Sequence, residues 1–88
     1  MIGKVQLLTP ECRILIALIK YGGIARAKEL EQYIAIATLY RALKDLIIAG
    51  YVIKEPNGAY RITKKGVRAV MGVVNELVSL RDKVVLMG

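Results

Sequence analysis

The sequence predicts a mainly α domain with one β-hairpin, an α+β fold. Three observations carry that expectation. Ala37 to Gly50 (ATLYRALKDLIIAG) sets its apolar residues at the helical period, Tyr51 to Thr63 alternates around Pro56-Asn57-Gly58, and an apolar stripe with heptad-like spacing runs on after Lys64. A chain of 88 residues is long enough for one core, so a single domain is expected over residues 1–88. It divides into an arm at 1–8, a body of helices and hairpin at 9–63, and a terminal helix at 64–88.

Residues 1–8 (MIGKVQLL) fit a short helix and an extended arm equally well. Thr9-Pro10-Glu11 is a helix start, with a hydroxyl to cap, proline at the first helical position and a carboxylate at the positive helix end. The first helix should run from Pro10 to about Tyr21 and stop at Gly22-Gly23. Its Ile14, Leu15, Ile16, Leu18 and Ile19 cover more than one face, which predicts contact with both the domain core and a dimer partner. Ile24-Ala25 suits a short strand. Arg26 to about Tyr33 reads as a second helix with Ala27, Leu30 and Ile34 inward, and only Ile34 to Ile36 separate it from the third. Two helices joined so tightly form a helix-turn-helix.

Wound at about 100° per residue, the third helix gathers Leu39, Ala42, Leu43, Leu46 and Ile47 on one side, with Ile36 beside them just before its start. Ala37, Arg41, Lys44, Asp45 and Ile48 fall opposite, with Thr38 and Tyr40 on the flanks. A slim entrance, a hydroxyl, a ring, two cations and no acid in the first turn suit entry into a DNA major groove. An ordinary amphipathic helix with a solvated basic face has the same pattern. No polar cap precedes this helix, unless it starts one residue late on Thr38. Gly50 stands where a left-handed C-cap would end it.

Beyond it, Pro56-Asn57-Gly58 suits a type I turn with a G1 bulge, and Lys54 and Arg61 lie on the two strands near that tip. Thr63 can cap a last helix that begins with Lys64, Lys65 and Arg68. Within it Val67, Val70, Met71, Val74, Leu77, Val78, Val84 and Val85 take heptad-like positions, interrupted by Arg81. A stripe of about five turns exceeds what a three-helix core can cover. A second copy should therefore meet it, through Val67, Val70, Met71, Val74, Leu77 and Val78.

Composition agrees. Hydrophobic residues make up 56% and the mean hydropathy is positive, more apolar material than so small a globule hides. The net charge of +7 favours a polyanion, and Arg26 to Arg68 alone holds nine cations against four carboxylates. With no His, one Cys and one Ser, a His-based relay or a Cys/His metal site cannot be built within the chain. No enzyme activity, metal or cofactor is expected. Cys12 reads as a small buried hydrophobe, and Gly22-Gly23 lacks the Lys-Ser/Thr of a phosphate loop. The longest apolar run, Ile14 to Ile19, is six residues, and no signal peptide is visible, so a cytoplasmic protein without a membrane partner is expected. Few Asn and Gln with abundant Ile, Val and Lys would fit a thermophile.

Helix, strand, helix, helix, hairpin, helix is the winged helix-turn-helix order. TLYRALKDLIIAGYV (Thr38 to Val52) resembles the recognition segment of PadR-like transcriptional regulators, and more distantly that of MarR and ArsR relatives. YRITKKGVRAV (Tyr60 to Val70) looks like the wing strand and following helix of the same group, where Tyr-x-Leu/Ile-Thr-x-x-Gly recurs. The resemblance covers roughly Glu11 to Val70. It implies that the third helix reads the major groove through Thr38, Tyr40, Arg41 and Lys44, past the slim Ala37. A wing with Lys54, Asn57 and Arg61, backed by Lys64 and Lys65, would touch the backbone or minor groove, and the last helix would dimerise. This chain departs from the group by being minimal, with one C-terminal helix and little room for a small-molecule ligand. The expectation is a homodimer that binds specific sequences of double-stranded DNA, a repressor of archaeal, viral or plasmid type. Alternatives are a plasmid-partition or nucleoid protein of the same fold, and a winged-helix module that binds a protein. Cations on the open side of the third helix favour DNA.

Overall fold

Thr9 opens the first helix, α1 (Pro10–Lys20), by accepting the Cys12 N–H on its hydroxyl at 3.3 Å. The computed structural model describes residues 9–87, with side chains as far as Arg81; the 1–8 arm and the side chains of Val84 and Val85 lie outside the described residues. Strand β1 (Ile24–Ala25) follows, then α2 (Ala27–Leu30), α3 (Ile36–Ile48), β2 (Val52–Lys54), β3 (Tyr60–Ile62) and α4 (Lys64–Met87). The described chain is mainly helical and carries one antiparallel three-stranded sheet in the order β1-β3-β2. Ile24 pairs with Arg61, and the hairpin pairs Val52 with Ile62, Ile53 with Arg61 and Lys54 with Tyr60.

The core sits between α1, α3 and the sheet. Ile14, Leu18, Leu30, Leu39, Leu43, Leu46 and Val52 are its largest fully buried side chains. Two-residue periodicity on β3 buries Tyr60 and Ile62 and turns Arg61 outward. At the end of α3, Gly50 adopts φ +82°, so that its N–H reaches the Ile47 carbonyl and the Tyr51 N–H reaches that of Leu46. Those paired bonds satisfy carbonyls that the helix would otherwise leave bare. At the hairpin tip Gly58 takes φ +89° and donates to the Glu55 carbonyl, the bulged turn expected there.

Several expectations need correction. The second helix is four residues long instead of running to Tyr33. Beyond Glu31 the chain tightens into three-residue bonds, Gln32 to Glu29 and Tyr33 to Leu30, and the Arg13 guanidinium draws off the Tyr33 carbonyl at 2.6 Å. α3 starts at Ile36, with Ala35 as a cap that offers no side-chain bond, so Thr38 lies inside the first turn and caps nothing. Ile36, expected beside the core, is 57% exposed. Ile34 is buried as expected, and Ile36 lies on the Tyr40 side of the helix, one turn ahead of it. Ile47 lies at the margin of the core and is also exposed.

A three-part junction fixes α4 to the rest. The Thr63 hydroxyl donates to the Gly50 carbonyl at 2.7 Å and accepts the Gly66 N–H at 3.1 Å, so one side chain caps α4 and grips the end of α3. Lys65 Nζ donates to the Ala49 carbonyl at 2.8 Å, where the negative end of α3 favours a cation. It also lies 5.1 Å from the centre of the Tyr51 ring. Gly66 packs directly on the backbone at Tyr51. Past Val70 the helix leaves the core, and of its described apolar side chains only Val73 is half-buried. Val67, Met71, Val74, Leu77 and Val78 are all exposed, whereas Val70, expected in the dimer interface, belongs to the domain core at 5% exposure.

Candidate functional site

The open side of α3 is set by what the other side buries. Leu39, Ala42, Leu43 and Leu46 face α1 and the sheet, so Ala37, Tyr40, Arg41 and Lys44 stand in solvent and Thr38 is half-buried at the flank. Nothing acidic occurs in the first turn. Arg41 and Asp45, four residues apart on this face, form no salt bridge, and among the described residues neither Arg41 nor Lys44 has a hydrogen-bond or ionic partner. Two cations are thus presented without intramolecular engagement, on a rigid helix. Both are available to an outside anion.

The hairpin cations are placed differently. Arg61 Nε pairs with the Glu55 carboxylate, which lies diagonally across the hairpin on the same face. Lys54 Nζ lies 5.8 Å from the centre of the Tyr60 ring, its charge still open to water. Asn57 is exposed at the tip, yet its side-chain oxygen accepts the Ala59 N–H at 3.0 Å and its carbonyl accepts from Arg26 at 2.8 Å. That last bond ties the start of α2 to the hairpin tip. Lys64 is exposed, while Lys65 is engaged at the junction described above. Of the expected interface residues, Ala37, Tyr40, Arg41, Lys44, Lys54 and Lys64 are therefore open, and Asn57, Arg61 and Lys65 are held in part by the protein itself. No known protein family and no curated protein matches this chain.

Sequence reasoning missed the Arg61–Glu55 pair, for which the signal was present. Once Ile53 is set opposite Arg61, Glu55 is two residues along on the same side of the sheet. It missed the Arg26–Asn57 bond, which spans 31 residues and has no local signature. Two apolar hollows also flank the root of α4. One, of about 250 Å³, is walled by Cys12, Leu15, Leu46, Tyr51, Val70 and Val73; the other, of about 380 Å³, by Ile19, Gly22, Gly23, Ile62, Val67 and Met71. Burial pushes the Cys12 thiol up from its ordinary value, which leaves less of the reactive thiolate. Among the described residues no three His, Cys, Asp or Glu side chains gather as a metal site would need, and no helix is long and apolar enough to cross a membrane.

Proposed function

We propose that this chain is a winged helix-turn-helix protein that binds specific sequences of double-stranded DNA as a homodimer and represses transcription. α3 is the reading helix and the β2–β3 hairpin is the wing. The observation that carries this reading is the open face of α3, where Ala37, Tyr40, Arg41 and Lys44 project outward and both cations lack partners among the described residues. A planar guanidinium there can place two donors on the O6 and N7 of guanine, while Lys44, one turn deeper, suits a phosphate as a point charge. Binding selection on random duplexes is the direct experiment, and an enriched palindrome is the expected product. On the selected site Arg41→Ala should cost about 1–3 kcal/mol and much less on scrambled DNA, whereas Lys44→Ala should lower both affinities nearly in parallel. An unchanged ratio of selected to scrambled affinity in Arg41→Ala would remove base reading from this side chain. Binding without any enriched sequence would favour a partition or nucleoid role.

Exposed apolar residues on α1 and α4 support the dimer. Ile16 and Ile19 on α1 and Val67, Met71, Val74, Leu77 and Val78 on α4 are exposed in one copy. Such a surface loses its contact with water only when another apolar surface covers it. Light scattering on the wild type should give twice the chain mass. Val74→Glu should yield monomers, because burying an unpaired carboxylate costs several kcal/mol. A wild-type monomer at micromolar concentration would overturn the dimer. A protein-interaction module is the second reading, favoured by Ile48 at 74% exposure on α3 and by exposed Ile53 on β2. A dimer that captures no duplex in the selection would support it.

A further inference from the structure

The first two turns of α3 expose more hydrocarbon than hydrogen-bonding capacity. Ile36 is 57% and Tyr40 52% exposed, Ala37 is open between them, and Arg41 completes a patch made by positions i, i+1, i+4 and i+5. No Asn, Gln, Ser, Asp or Glu stands on this part of the helix. The patch therefore offers base edges a guanidinium fork, a phenol and apolar bodies, but no carboxamide for adenine and no carboxylate for cytosine. Ile36 is the telling residue. At the first position of a helix that lacks a side-chain cap, an acidic residue would interact favourably with the helix dipole, and a β-branched residue gains nothing from propensity. Its side chain is also not consumed by the core. In the major groove the one apolar group that projects from the base edges is the C5-methyl of thymine.

We infer that Ile36, Ala37 and Tyr40 read thymine methyl groups beside the guanine contacted by Arg41, so that the preferred half-site contains thymine next to guanine. This rests on the proposal that α3 enters the major groove, and it names the chemistry that the entrance of the helix selects. Ile36 covers the methyl with its own branched side chain, Ala37 leaves room for close approach, and the Tyr40 ring flanks it.

The experiment uses the whole 88-residue chain and the duplex obtained by selection, with each thymine replaced in turn by deoxyuridine. Base pairing and phosphate charge are unchanged and only the methyl is lost. Wild-type affinity should fall about fourfold at one or two positions per half-site, the worth of one buried methyl. In Ile36→Ala that sensitivity should shrink toward none, while the discrimination due to Arg41 remains. Exposed Ile36 is outside the core, and circular dichroism should show the variant folded. Deoxyuridine without effect at every position, on a duplex that still binds tightly and specifically, would overturn the methyl reading and leave the DNA-binding proposal standing. A methyl effect equally large in wild type and Ile36→Ala would overturn the role of Ile36. Failure of the wild type to bind any duplex would overturn both.

Discussion

Raising the salt from 50 to 200 mM should weaken duplex binding by roughly 10³–10⁵-fold, as expected when about 6–10 phosphates are neutralised. Lys44, Lys54 and Lys64 are open in each copy, which gives six such cations in a dimer, and the partly engaged Arg61 and Lys65 extend the range upward. Arg61 gives the sharper test. Its side chain is 54% exposed and its pairing with Glu55 is a surface ion pair, a kind that contributes little, so a phosphate can take it over. Arg61→Ala should make the salt slope shallower by about 0.9 for each phosphate that is no longer neutralised. Glu55→Gln should do the reverse, because it frees the guanidinium and removes a carboxylate from the wing. Fluorescence anisotropy across a salt series measures both. Slopes that match the wild type in both variants would mean that the hairpin points away from DNA.

Gly66→Ala and Gly72→Ala should shift stability in opposite directions although they lie six residues apart on the same helix. A Cβ at Gly66 would sit 2.5 Å from the Tyr51 carbonyl oxygen and 2.7 Å from an Ile62 side-chain carbon. That carbonyl cannot retreat freely, since it accepts the Thr63 N–H at 3.0 Å. Overpacking of this kind costs about 1–3 kcal/mol, occasionally more. For a domain of this size each kcal/mol lowers Tm by about 4–8 °C. At Gly72 nothing lies within 4 Å of the added carbon, so alanine should gain up to about 1 kcal/mol in helix propensity. Thermal melts followed by circular dichroism, at one protein concentration because a dimer's Tm depends on it, separate the two. Equal shifts would mean that α4 does not lie against Tyr51.

Signals whose partners are close in sequence were legible. Thr9 with Cys12, the turn at Glu55 to Gly58, and Thr63 with Gly66 each close within three residues, and each stands where the residue types place it. Gly50 ended α3 for a similar reason, since its bonds return no further than Ile47 and those of Tyr51 to Leu46. What escaped depends on distant groups. Arg13 takes the Tyr33 carbonyl across 20 residues, and Lys65 reaches Ala49 across 16. Helical spacing placed Ile34 inward, as found, but Ile36, two residues on and equally apolar, opens a new helix, and the pattern could not choose between burying and exposing it. That choice sets the entrance of the candidate site. Val70 shares its heptad-like stripe with exposed neighbours, and only the crossing point of α4 over the core separates them.

The junction of Thr63, Lys65 and Gly66 has a mechanical meaning. α4 is a rod of 24 residues, roughly 36 Å long at 1.5 Å per residue. It is clamped at its root to the last turn of α3 by the bonds to Ala49 and Gly50. A tilt of about five degrees at that root would move the far end by roughly 3 Å over this length, so a partner gripping the rod would fix the attitude of α3 closely. In a two-fold dimer the pair would work as a caliper. On the proposed reading its jaws would be the two copies of α3, and its gap would be measured in base pairs.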